Sequence, residues 1–79
     1  MEREEIIQKI KDVIVDQIAA DEDSLSEGTS FTEDLEADSL DMLQIVTAIE
    51  DVFEIEVDDS AFSEINTIGD AAGYIQNAL

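Results

Sequence analysis

The stretch SLDMLQIVTAIEDVFEIEV, residues 39–57, decides the fold class, because its hydrophobic period changes part-way along. From Ser39 to about Phe53 the apolar residues recur every three or four positions, the spacing of an amphipathic helix. Ile45, Ile49, Val52 and Phe53, with Val46 alongside, form the stripe expected to face a core. FEIEV, residues 53–57, then alternates like a strand. A lone strand has no pairing partner, so this segment reads as an extended connector and the chain as all-α.

Upstream, residues 3–19 place Ile7, Ile10, Ile14 and Ile18 at helical spacing, with Ile6 and Val13 beside them. Lys9, Lys11, Asp12 and Asp16 take the other faces, which makes an amphipathic helix. Residues 20–38, ADEDSLSEGTSFTEDLEAD, are polar and acidic and read as a long loop. Leu25, Phe31 and Leu35 are spaced to pin that loop onto a core, so it is expected to be ordered. Downstream, residues 59–64 suit a short helical turn. TIGDAAGYIQNAL, residues 67–79, opens with Thr67 and Asp70, a pair like a capping box. Ile68, Ala71, Ala72, Ile75 and Leu79 follow at helical spacing. The expected architecture is a small bundle of three principal helices plus one short helix, with a long loop between the first and second helices. Residues 1–79 are expected to form a single domain.

The formal net charge is −19, and the three basic residues, Arg3, Lys9 and Lys11, all lie near the N-terminus. Such a field repels nucleic acids and anionic membrane surfaces and steers basic protein patches into encounter. Acidity also serves solubility alone in many proteins. In a chain of 79 residues, however, this much like charge costs stability, which favours a role in partner recognition. Cysteine and histidine are absent, so disulfides, intrinsic thiol chemistry and structural zinc are not expected. MEREEIIQKI is too charged for a signal peptide, and no segment approaches the length of a membrane span. A cytoplasmic monomer without membrane insertion is the expectation.

Ser39 stands among carboxylates with no histidine to activate it, and both lysines belong to the first helix. With 22 acidic residues, a pair of adjacent carboxylates has no specificity as an acid–base site. The chain is therefore not expected to be an enzyme. A calcium loop centred on Gly28 fails in register, because Leu25 would fall on a ligand position. Ser39 remains as an acceptor: a phosphate attached at a helix N-terminus gains from the exposed N–H groups and the dipole. A plain helix cap, made by Asp38 or Ser39, is the commoner explanation of a serine in that place. Leu40 and Leu43 lie on a different arc from the core stripe, continued by Thr47. They form either a docking surface or a patch packed under the long loop.

FTEDLEADSLDMLQIVTAIEDVFEIEV, residues 31–57, resembles the acyl carrier protein family around its attachment site. The pattern is a hydrophobic and acidic lead-in, Asp-Ser-Leu, an acidic helix ending in Phe, and an acidic connector. INTIGDAAGYI, residues 65–75, resembles the family's entry into its last helix. The resemblance implies that Ser39 carries 4′-phosphopantetheine, transferred from coenzyme A by a phosphopantetheinyl transferase. It implies that Asp38 and Leu40 flank the attachment point. Leu40, Asp41, Leu43, Thr47, Glu50 and Asp51 would meet basic patches on enzymes of fatty acid biosynthesis. An acyl chain would slip between the helices near Val46, Ile49 and Phe53. The chain departs from the family's habits at Glu36, where glycine is common, at Gln44, where glutamate is common, and at Asp58, where proline is frequent. Gly69 and Gly73 are expected to loosen the last helix. A carrier dedicated to polyketide, aminoacyl or other cargo is the nearest alternative. An unmodified acidic interaction protein, such as a DNA mimic, is the alternative of another class.

Overall fold

The computed structural model describes residues 1–79 and is helical throughout, with no β-strand. Helix α1, Arg3–Ile18, buries Ile6, Ile10, Val13 and Ile14. It ends at Ala19, which adopts a left-handed conformation with φ 54° and donates its N–H to the Val15 carbonyl. α1 packs against both later principal helices, α2 (Ser39–Phe53) and, more extensively, α4 (Ile68–Ala78). The short α3 (Asp59–Glu64) is held more lightly against the other helices. The predicted bundle therefore forms, with one long loop between α1 and α2.

That loop is ordered by its apolar residues and by backbone pairing. Asp21 caps a single 3₁₀ turn at Glu22–Ser24. Leu25 and Phe31 are buried, and Leu35 is half-buried against the core. Three backbone bonds lace the loop to the entry of α4. Gly69 N–H donates to the Glu27 carbonyl at 2.8 Å, Ile68 N–H to Thr29 at 3.1 Å, and Phe31 N–H to Asn66 at 2.9 Å. A β-carbon on Gly69 would stand 3.1 Å from the Glu27 carbonyl oxygen, so this glycine serves a close approach of two backbones. Gly73 has open space around it and makes no such approach.

Two details of the expected core are corrected. α2 buries Met42, Ile45, Val46, Ile49 and Phe53, while Val52 is 47% exposed. At about 100° per residue the buried arc centres on Met42, and Val52 falls about 80° away, beyond its rim. Leu79 is the C-cap residue just past the end of α4, beyond the final buried residue Ile75, and is likewise exposed.

Of the connector expected over residues 53–57, Phe53 is the last residue of α2, and the extended stretch lies between α2 and α3, with Ile55 and Val57 half-buried. Asp58 caps α3 by accepting the Ala61 N–H at 2.8 Å, which gives the departure from proline a structural use. At α4, Thr67 and Asp70 complete the capping box.

Candidate functional site

Three consecutive residues set the position of Ser39. Glu36 turns the chain with φ 54°, in the left-handed region where glycine is at ease. Ala37 is then buried and donates its N–H to the Phe31 carbonyl at 2.9 Å. Asp38 becomes the N-cap: its Oδ1 accepts the Asp41 N–H at 2.8 Å, and Asp41 Oδ2 accepts the Asp38 N–H at 3.4 Å. Both capping oxygens come from carboxylates, so Ser39 is not the cap. It is the first residue of α2 and is exposed, with its hydroxyl outside the capping pattern.

Beside Ser39 lies an open groove of about 420 Å³ between the loop, the start of α2 and the end of α3. Thr32, Asp38 and Asn66 give it polar walls, and Met42, Phe62 and Ile65 an apolar floor. Met42 and Ile65 also line a second, narrow cavity of about 10 Å³ whose lining residues are all hydrophobic. Val46 and Ile49 belong to that lining, together with Val57 and Tyr74. Phe53 is buried in the same core but does not line the cavity. A space this size holds about one water-sized sphere, so any larger guest requires its walls to part. Met42 was missed in the sequence, although it sits at helical spacing from Ile45, Val46 and Ile49.

The outer face of α2 is turned away from the core. Leu40 is 61% and Leu43 55% exposed, so neither packs under the loop. Thr47 and Asp51 are exposed on the same side, and Gln44 lies among them. Glu50 is half-buried at the edge of this face, where its Oε2 accepts the Val57 N–H at 2.8 Å. Asp41 lies on the opposite flank of the helix, committed to the capping box. One salt bridge forms in the whole chain, Arg3 to Glu27 at 2.8 Å, and it is exposed. No cluster of side chains is arranged to hold a metal ion, and no helix is long and apolar enough to cross a membrane.

Comparison with known proteins gives this geometry its family. The profile of the phosphopantetheine attachment site matches residues 8–75. The acyl carrier protein of Lactobacillus acidophilus is 44% identical over 77 residues, covering 98% of this chain and 96% of that one. The acyl carrier protein of Rubrobacter xylanophilus is 40% identical over 75 residues, covering 95% and 93%. The solved structure of the thermally stable acyl carrier protein from Enterococcus faecalis superposes with a TM-score of 0.82 at 32% identity, covering 100% of both chains. The family is one of carriers rather than enzymes, and its cofactor is phosphopantetheine. With its helical fold and its sequence matched over nearly the full length, the chain belongs to the acyl carrier protein family.

Proposed function

We propose that the chain, acting as one carrier domain over residues 1–79, holds acyl intermediates on 4′-phosphopantetheine attached at Ser39. It presents them to enzymes of fatty acid biosynthesis in the cytoplasm. The observation that carries this reading is the exposed Ser39 hydroxyl at the first position of α2, with capping left to Asp38 and Asp41. The open groove beside it leaves room for an arm, and the first-turn N–H groups and helix dipole favour a phosphodiester there. The bound group supplies a terminal thiol for thioester formation, which a chain without cysteine must borrow.

The chain's own residues then have distinct tasks. Asp38 and Leu40 flank the acceptor and are what a phosphopantetheinyl transferase reads. Leu40 and Leu43 are apolar anchors on the outer face, with Thr47 between them and the charges of Glu50 and Asp51. Partner enzymes approach this face with basic patches, drawn by a net charge of −19. Asp41 contributes charge from the other flank. Met42 and Ile65 separate the Ser39 groove from the apolar cavity. An acyl chain passing between them meets Val46 and Ile49, with Phe53 one turn further along α2 in the same core.

The second reading, a carrier for polyketide, aminoacyl or other dedicated cargo, is favoured by Gln44, which leaves the outer face one charge short of the family's habit. A reconstituted set of fatty acid synthesis enzymes, with this protein as sole carrier, decides between them. Elongated fatty acyl products are expected. Efficient arm loading without any elongation would overturn the fatty acid assignment and favour the dedicated carrier.

A further inference from the structure

Arg3 breaks a local rule that its neighbours keep. It is the first residue of α1, where the helix dipole disfavours a cation, whereas Glu4 and Glu5 give that turn the charge it prefers. The N-cap residue, Glu2, makes no side-chain bond to the helix, so α1 is not closed at its start by its own cap. The Arg3 side chain reaches instead to residues 24 and 66 positions further on. Its Nε donates to Glu27 Oε1 at 2.9 Å, and its Nη2 stands 2.8 Å from the same oxygen. Nη2 also donates, at 3.4 Å, to the Gly69 carbonyl. Glu27 is presented by a tight turn in which Ser26 N–H donates to Thr29 Oγ1 at 2.9 Å and Thr29 N–H to the Ser26 carbonyl at 3.1 Å. One guanidinium therefore joins α1, the long loop and α4 at the Gly69 end of the seam between loop and helix. Phe31, 1% exposed, anchors the other end, where its N–H meets Asn66.

We propose that Arg3 is an ionic latch on this seam: it holds the loop against the entry of α4, and rising ionic strength releases it while the rest of the fold tightens. The inference goes beyond the carrier reading and does not depend on it. Salt acts on the molecule with two opposite signs. Screening relieves repulsion among 22 acidic side chains, which favours the compact state. The same screening weakens the one salt bridge, whose partners are both exposed. Opening a loop against a helix costs less than unfolding the core, so the seam can loosen while the principal helices stay formed. The loosening starts at the Gly69 and Ile68 bonds and stops at Phe31, which the core holds by its side chain.

The test is amide hydrogen exchange by NMR on the full chain, with exchange at Gly69 and Phe31 each read relative to Ile10 in α1, which reports global stability. At low salt Arg3→Gln is expected to speed relative exchange at Gly69 by up to about fivefold, the most that an exposed pair supplies, and to leave Phe31 unchanged. Glu27→Gln should do the same, and the double variant no more than either, because the two residues act as a pair. Lys9→Gln removes an equal charge from α1 without touching the pair, and is expected to leave Gly69 unmoved. Raising NaCl from about 0.01 M to about 0.5 M should slow exchange at Ile10 yet carry relative exchange at Gly69 in the wild type towards the Arg3→Gln value. In Arg3→Gln itself that relative exchange should stay flat. Unchanged Gly69 exchange in Arg3→Gln, an equal effect of Lys9→Gln, a parallel rise at Phe31, or a salt response that persists without Arg3 each overturns the proposal. Attachment at Ser39 is read by mass and enters none of these outcomes.

Discussion

Glu36 occupies a left-handed conformation, φ 54°, immediately before the buried Ala37 and the capping Asp38. A side chain with a β-carbon pays a steric cost there that glycine avoids. Glu36→Gly is therefore predicted to raise stability by about 0.5–1 kcal/mol in urea denaturation. Glu36→Gln, which removes the charge and keeps the β-carbon, separates relief of strain from relief of repulsion and should recover only a small part of the gain. Asp38→Ala, which strips the α2 cap, should lower stability by about 1 kcal/mol in the same measurement. Glu36 was visible in the sequence as a departure from the family's glycine. Its meaning was not, because no pattern of residue types records a φ angle. The same limit left the choice of cap between Asp38 and Ser39 open until the Asp41 N–H was placed on Asp38.

At the scale of the element, α4 holds two glycines that look alike in sequence and differ in space. Gly73 has nothing within 4 Å of where a β-carbon would stand, so Gly73→Ala should stabilise the helix by up to about 1 kcal/mol. Gly69→Ala should do the opposite, since its β-carbon would press on the Glu27 carbonyl at 3.1 Å and disturb the bond that Gly69 N–H makes there. Paired thermal melts of the two variants test both signs. Helical periodicity placed all three principal helices because each has a long apolar stripe. It misjudged the centre of the α2 stripe, where Met42 is buried and Val52 exposed, since a helix buries an arc and periodicity alone does not say where that arc is centred. The path of the long loop was only half legible. Leu25 and Phe31 announced that it is pinned, but its lacing to the entry of α4 runs through backbone groups that every residue possesses.

For the whole molecule the governing quantity is a net charge of −19 with one exposed salt bridge to set against it. An exposed pair of this kind contributes at most about 1 kcal/mol, so repulsion among the carboxylates is largely uncompensated. The melting temperature should rise as salt is added from low ionic strength, because screening shortens the reach of that repulsion. A melting temperature indifferent to salt would contradict this. Charge and the absence of cysteine and histidine were legible at once and excluded most chemistry. The assignment of a carrier drew instead on the residues around Ser39. The most direct test is the intact mass of the protein after incubation with coenzyme A and a broad-specificity phosphopantetheinyl transferase, with Ser39→Ala alongside. A gain of one phosphopantetheine group in the wild type and none in Ser39→Ala is the predicted result. An equal gain in both, or none in folded wild-type protein that does not already carry the group, would contradict it.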